Sequence, residues 1–114
     1  MNTKRYHIGS ISVDSGQMML CDPCYLSSWI NNDFDNTVHK GMQKSGEFEF
    51  SYNGACAATL SEDQAGILGG LDAAVCSTGL GDGVYAVFIE VADMGNWGHR
   101  VSKMEIIFIE PDKF

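Results

Sequence analysis

Two cysteines flank an Asp-Pro pair in the stretch CDPC, and Cys21 and Cys24 have the spacing of a zinc knuckle or a redox pair. A structural zinc site usually joins two such pairs, but Cys56 and Cys76 stand singly in the sequence. A redox pair usually opens a helix, which lowers the thiol pKa, whereas this stretch follows a strand pattern and contains an anion. Zinc and redox chemistry are the alternatives, and the spacing favours a turn that carries two thiols.

Carboxylates in two turns are better candidates for contact with a ligand. Asp22 precedes Pro23, which favours an extended backbone, so its carboxylate can either cap the following turn or face a ligand. The stretch STGLGDGVY, residues 77–85, places Asp82 among glycines, where a backbone can approach a ligand closely. This stretch lacks the lysine of a P-loop and the helix of a dinucleotide fingerprint. A plain turn and a calcium loop are the alternatives, although no EF-hand spacing is present.

The sequence contains no recognisable set of nucleophile and base. His7, His39 and His99 lie far apart and near no Cys or Ser motif, and neither G-x-S-x-G nor H-E-x-x-H occurs. Trp97, in the loop GNWGH, is a candidate for stacking on a flat ligand, whereas Trp29 is expected in the core. The sequence therefore favours a binding protein over an enzyme, with no catalytic residue, metal or cofactor expected.

Most elements that would position these residues are strands. Alternation in RYHIGSISVD predicts a strand, and SGQMMLCD predicts a second one after a turn at Ser15-Gly16. The stretches AAVCSTG, GVYAVFIEVAD and RVSKMEIIFIE predict three more strands. Residues 83–93 are apolar on both faces, which predicts a central strand.

A hairpin is predicted in EFEFSYNGACAATL. Alternation before Asn53-Gly54 indicates a two-residue type I′ turn, because both turn positions need positive φ. In that hairpin Tyr52 would pair with Ala55.

Short helices are predicted at two places. Leu26, Trp29 and Ile30 have helical spacing, and Ser61 stands three residues before Gln64 in a capping-box pattern.

These elements predict a mainly β fold with about seven strands and one or two short helices. The expected architecture is a single domain over residues 1–114, either an antiparallel β-sandwich or a small barrel. An α+β sheet is the alternative. The polar stretch 31–45 is expected to be a variable excursion.

The charge and hydropathy of the chain exclude some partners. Seven basic and 15 acidic residues give a net charge of −8, which argues against direct binding to nucleic acid. No signal-peptide pattern and no run of about 20 apolar residues occurs, so we expect no membrane contact and a cytoplasmic location. Cysteines stay reduced in that compartment.

Three motifs together resemble an uncharacterised family of small bacterial and bacteriophage proteins. They are a VDSGQ turn, a DPCY turn, and a loop and strand similar to STGxGDGxYPV, although Ala86 replaces the proline of that pattern. The resemblance implies a compact β-rich fold and a phage or mobile-element setting, in which the cytoplasm is that of the host. It implies no reaction.

The leading hypothesis is a non-enzymatic phage-type protein that sequesters a small ligand, such as a nucleotide messenger of host defence, and that can form a homo-oligomer. The cations for its phosphate would come from Arg5, Lys40, Lys44, Arg100 and Lys103. The predicted ligand-binding residues are Asp14, Asp22, Tyr25, Thr78, Asp82, Tyr85 and Trp97.

Two alternatives belong to other classes of protein. One is an acidic inhibitor that binds a host protein, and the other is a metal-assisted hydrolase that uses Asp14, Asp22 and Asp82.

A geometric prediction connects the candidate residues. If the strand that ends before Asp22 lies antiparallel to the strand that follows Asp82, these two carboxylates share one rim of the sheet. Tyr25 and Tyr85 would lie on the same rim, with Trp97 as a lid.

Overall fold

The computed structural model describes residues 2–35 and 48–111, so residues 36–45 of the predicted excursion, with His39, Lys40 and Lys44, lie outside the described residues. Within the described ranges the fold is mainly β, as predicted, with six strands and three short helices. The strands are β1 (Thr3–Val13), β2 (Gln17–Cys21), β3 (Ala65–Leu68), β4 (Ala73–Ser77), β5 (Gly83–Asp93) and β6 (His99–Ile106). The helices are α1 (Tyr52–Thr59) and 3₁₀ helices at Pro23–Ser28 and Gly95–Trp97.

The strands form two antiparallel sheets, ordered β1-β5-β6 and β2-β4-β3. The prediction that β5 is central is confirmed. The two strands predicted around residues 15–16 are both present, but each belongs to a different sheet. β1 pairs with β5 down to Val13 opposite Gly83, and β2 pairs with β4 from Gln17 opposite Ser77. The chain therefore passes between the two sheets at two places, from β1 to β2 and from β4 to β5.

The main core lies between the β2-β4-β3 sheet and α1. Phe48, Phe50, Leu68 and Val75 are its large buried side chains, and alanines of α1 pack against them. Trp29, which was expected in the core, is half-buried at its edge and packs edge-on against Phe50 with ring centroids 5.2 Å apart. The described residues of β1, β5 and β6 contribute nothing to this cluster.

The predicted hairpin at Asn53-Gly54 is wrong, because both residues lie in the first turn of α1. Gly54 does not have the positive φ that a type I′ turn requires. The buried Ser51 caps the helix instead, and its Oγ accepts a hydrogen bond of 2.8 Å from the Gly54 amide. The alternating residues before Ser-x-Asn-Gly are therefore followed by a capped helix and not by a tight turn.

The helix predicted from Ser61 is also wrong. The Ser61 hydroxyl donates to the Ala58 carbonyl at 2.6 Å, which closes the end of α1. Gln64 has φ of 55°, outside the range of a right-handed helix, and the chain then enters β3, which the sequence patterns do not predict. The helical turn predicted near Leu26 is confirmed by the 3₁₀ helix Pro23–Ser28.

Candidate functional site

Two connections between the sheets lie side by side, and they bring Asp14 and Asp82 into one region. The Thr78 amide donates to the Gly16 carbonyl at 3.0 Å, so the 14–16 turn and the 78–82 loop are hydrogen-bonded. A Cβ placed on Gly16 would lie 3.9 Å from Oδ1 of Asp82. The first and third of the three motifs therefore meet in space.

The hydroxyls of two predicted site residues are used inside the 78–82 loop. Thr78 is fully buried, and its Oγ1 donates to the Gly81 carbonyl at 2.7 Å. The Tyr85 hydroxyl lies 2.6 Å from the same carbonyl oxygen and 3.0 Å from that of Thr78. The Phe108 ring packs edge-on against Tyr85. These contacts stabilise the conformation of the loop, so the hydroxyls of Thr78 and Tyr85 are already hydrogen-bonded within the protein.

The CDPC stretch is not the turn that the sequence predicted: Cys21 ends β2, and Pro23 and Cys24 begin the 3₁₀ helix Pro23–Ser28, which Asp22 caps. Oδ1 of Asp22 accepts a hydrogen bond of 3.0 Å from the Cys24 amide, which lowers the pKa of the Asp22 carboxyl. Asp22 in turn raises the pKa of the Cys24 thiol, because a hydrogen bond between the two side chains disfavours the thiolate. The four cysteines are free. Tyr25 follows in the 3₁₀ helix and is exposed.

The predicted shared rim is wrong, because β2 pairs with β4 and not with β5. Asp22 follows the end of β2, whereas Asp82 lies beside the turn that precedes this strand. A five-residue strand separates the two carboxylates by about 17 Å. Trp97 lies beyond the far end of the 11-residue β5, too far from Asp82 to cover it. The structure therefore joins Asp14 with Asp82 but places Asp22 and Tyr25 elsewhere.

Of the five cations predicted to bind phosphate, the three that the structure describes already have partners. Arg5 forms an ion pair of 2.9 Å with Glu105 and lies over the Phe88 ring. Lys103 lies 3.4 Å from Glu90. Nε of Arg100 donates to a backbone carbonyl of the β5–β6 connection at 2.8 Å. None of these groups lies in the 78–82 loop, so their positions do not support a phosphate site there.

Within residues 2–35 and 48–111, no three His, Cys, Asp or Glu side chains come together in a way that could hold a metal ion. Asp14, Asp22 and Asp82 do not form the cluster that the hydrolase hypothesis requires. The Gln17 side chain of the first motif ties β2 to α1, since it accepts from Thr59 Oγ1 at 3.0 Å and donates to Cys56 Sγ at 3.4 Å.

The outer face of the β2-β4-β3 sheet, opposite α1, forms a long apolar groove with the end of β6. One part has a volume of about 350 Å³, and a neighbouring part of about 330 Å³ extends towards β1. We define the inter-sheet groove by six residues of the first part, which are Met18, Leu20, Ile67, Ala74, Ile106 and Phe108.

The groove has a polar end where it reaches the CDPC stretch. A further concave region of about 420 Å³ shares Leu20, Ile67 and Ala74 with the groove and is also lined by Asp22 and Tyr25. Two of the predicted site residues therefore border the groove, although they do not meet Asp82. The apolar wall itself is not among the predicted site residues.

Two short apolar runs in the sequence could have indicated this apolar wall. Met18, Met19 and Leu20 are consecutive apolar residues, and so are Ala73, Ala74 and Val75. Such runs give a strand two apolar faces. In β2 and β4 one face packs on α1, and the other lines the groove.

Comparisons of this chain with protein-family models, with curated proteins and with solved structures found no match. In the described part of the chain, no helix has the length and apolarity needed to cross a membrane.

Proposed function

We propose that this protein is a non-enzymatic binding protein that holds a small, mainly apolar ligand in the inter-sheet groove. The observation that carries the proposal is a continuous apolar wall with a carboxylate and a phenol at one end. Its volume lies in the range of small-molecule sites, which are apolar with a few polar groups that orient the ligand.

The groove selects for the chemistry of its ligand. Asp22 accepts hydrogen bonds and carries a negative charge, and Asp72 lines the same end. An apolar ligand with an amine or another hydrogen-bond donor at one end is complementary to this arrangement, whereas a phosphate or carboxylate is repelled. The proposed ligand is therefore an aromatic or aliphatic molecule with a hydrogen-bond donor at one end, and not a nucleotide messenger.

The setting of the function follows from the motifs. The resemblance to bacteriophage proteins leads us to propose that the protein sequesters a host molecule in the host cytoplasm. Four free thiols fit a reducing compartment of this kind.

The test is a thermal-shift series with two probes that share an indole ring and differ in charge, tryptamine and indole-3-propionate. We expect tryptamine to raise the melting temperature and the anion to have a smaller effect. Asp22→Asn keeps a capping side chain but removes one of the two charges at this end, so it should weaken this preference.

The groove itself is tested by Ala74→Phe, because Ala74 is exposed on the groove wall and a ring there fills the space without entering the core. Leu80→Phe is the matched control, since Leu80 is an exposed residue of the 78–82 loop. Stabilisation by tryptamine should disappear in the first variant and persist in the second. Absence of stabilisation in the wild type, or its persistence in Ala74→Phe, would overturn the proposal.

A second candidate function, inhibition of a host protein, is favoured by Trp97. This side chain is 74% exposed in the connection between β5 and β6, and its backbone carbonyl is held by Arg100. Exposed tryptophans on fixed turns are frequent anchors of protein interfaces. If this function is correct, Trp97→Ala releases a host protein that the wild type retains in a low-salt pulldown.

A further inference from the structure

We propose that a small pocket on the β1-β5-β6 sheet binds a free amino acid through its ammonium and carboxylate groups together. We call it the strand-end pocket, because it lies where β1 begins, β5 ends and β6 begins. Its volume is about 220 Å³, and its lining residues are Asn2, Lys4, Tyr6, Val91, Asp93 and His99. None of these residues lines the inter-sheet groove or its polar end, so the strand-end pocket is a second site, independent of the proposed function.

Strand register brings the side chains of the pocket to one face of the sheet. Lys4 of β1 pairs with Val91 of β5, and Asp93 of β5 pairs with His99 of β6. Asn2 lies beside Asp93, whose amide donates to the Asn2 carbonyl at 2.9 Å. Directly paired residues of antiparallel strands project to the same face, and so do residues two positions apart on one strand. Lys4 and Asp93 are therefore diagonal neighbours across the pocket.

The two opposite charges of the pocket do not neutralise each other. Diagonal neighbours on paired strands are about 7–8 Å apart, a distance that a long side chain can span. Lys4 nevertheless forms no ion pair or hydrogen bond with Asp93 or with any other described residue. On the opposite face of the sheet, Arg5 and Lys103 each pair with a glutamate. The strand-end pocket thus leaves a cation and an anion available to a ligand.

The carboxylate of Asp93 is held in place and has one oxygen to offer. Its Oδ1 accepts a hydrogen bond of 3.0 Å from the Gly95 amide. Its Oδ2 lies 3.9 Å from Nε2 of His99, which is too far for a hydrogen bond. An ammonium group can therefore bind at Oδ2 without displacing a hydrogen bond of the protein.

The charges of the pocket select a ligand that carries both signs. With His99 neutral, Lys4 and Asp93 give the pocket one positive and one negative group. A ligand that is only an anion pairs with Lys4 and is repelled by Asp93, and a ligand that is only a cation meets the reverse. A zwitterion pairs with both side chains. The hydroxyl of Tyr6 and the side-chain amide of Asn2 add hydrogen-bond donors that suit its carboxylate.

The size and the floor of the pocket restrict the rest of the ligand. Sites for drug-sized molecules have volumes of about 300 Å³ or more, so a pocket of about 220 Å³ suits a smaller molecule. Val91 is half-buried on the central strand, and the Tyr6 ring stands next to it on β1. In an α-amino acid, both charged groups are attached to one carbon, which leaves an aliphatic side chain free to contact Val91. The ligand class is therefore an aliphatic α-amino acid such as leucine.

The experiment is an NMR titration of the nitrogen-15-labelled protein at neutral pH with three probes that share one side chain. L-leucine is a zwitterion, L-leucinamide lacks the carboxylate, and N-acetyl-L-leucine lacks the ammonium group. We expect L-leucine to bind with a dissociation constant of about 1 mM, because ion pairs in an open pocket are weakened by water. Each of the other two probes should bind about fivefold more weakly or less tightly still. The amide resonances of Lys4 and Asp93 should shift saturably, whereas that of Ile67 in the inter-sheet groove should not.

Variants test each charge separately. Lys4→Met keeps the length of the side chain and removes the cation, so it should weaken L-leucine binding about fivefold. Asp93→Asn keeps an acceptor for the Gly95 amide and removes the anion, with an expected loss of similar size. Lys103→Met is the matched control, because Lys103 pairs with Glu90 on the opposite face of the same sheet. It should change the dissociation constant less than about twofold.

The amide spectrum of each variant establishes that it is folded. A wild type in which L-leucine causes no saturable shift at Lys4 and Asp93 would overturn the proposal. Equal binding of the three probes would also overturn it, because charge would then not select the ligand. The same holds if Lys4→Met and Asp93→Asn both bind L-leucine as tightly as the wild type. A failure of tryptamine to bind the inter-sheet groove leaves these results unchanged, so the two proposals fail separately.

Discussion

Gly54 stands where the first turn of α1 touches the chain that precedes the helix. A Cβ at this position would collide with the backbone carbonyl of Glu49 and come within 2.8 Å of the Glu49 nitrogen. We expect Gly54→Ala to lower the free energy of unfolding by about 3 kcal/mol, because backbone rather than a flexible side chain must move. In Gly83→Ala the new Cβ would meet the Tyr85 ring at an ordinary 3.5 Å. That control should stay within about 1 kcal/mol of the wild type in urea unfolding. Equal losses in the two variants would contradict the close approach at residue 49.

Asp22 carries a pH dependence whose sign follows from its hydrogen bond to Cys24. The pKa of the Asp22 carboxyl is lowered from its ordinary 3.8, because the folded turn donates an amide to the carboxylate. A carboxyl with a lowered pKa stabilises the folded state above its unfolded pKa, and this contribution is lost as the pH falls through the folded pKa. We expect Asp22→Asn to be less stable than the wild type at neutral pH and the difference to shrink below pH 3.8. The measurement is the free energy of unfolding as a function of pH. A difference that is constant with pH would count against this account.

At the scale of elements, α1 depends on its cap. The Ser51 hydroxyl is buried and satisfies the Gly54 amide, so Ser51→Ala leaves a buried donor without a partner. We expect a loss of about 1 to 2 kcal/mol. Ser61→Ala, at the end of the same helix, removes a half-buried hydroxyl and should cost less than about 0.5 kcal/mol. Thermal unfolding of the two variants distinguishes a helix that begins after Ser51 from one that begins at Ser61. A larger effect at Ser61 would contradict the structure.

Local patterns predict some of these elements well and their pairing poorly. The apolar run of β5 indicates its bounds and its central place, because both faces of the strand are apolar in the sequence itself. Asn53-Gly54 suits a tight turn and a capped helix alike, and the choice depends on a contact with Glu49 that no local window contains. The partner of β2 is β4, which lies more than 50 residues away along the chain. The error in that pairing is the reason that the shared rim of Asp22 and Asp82 failed.

The candidate site shows the same division. Asp22 and Tyr25 could be predicted as site residues because their chemistry is visible in the sequence. Met18, Leu20 and Ala74 could not, since an apolar side chain has the same appearance in a core and in a binding groove. Their position becomes clear only when α1 is seen to cover the other face of the sheet.

At the scale of the whole molecule, the arrangement of the two sheets leaves large apolar surfaces open. The radius of gyration is 16.3 Å, whereas a compact chain of this length has about 13 Å. The two sheets share no strand, and α1 packs on the β2-β4-β3 sheet and not on the other. The groove is a consequence of this extended shape.

The claim that the inter-sheet groove is the binding site can be tested at one methyl group. Met18 is a buried wall residue of the groove, whereas Met94 is exposed in the β5–β6 connection. With carbon-13 methyl labelling of methionine, a tryptamine titration followed by NMR should shift the Met18 resonance saturably and leave Met94 unchanged. A Met18 resonance that stays fixed at saturating tryptamine, or a Met94 resonance that moves as far, would contradict the account.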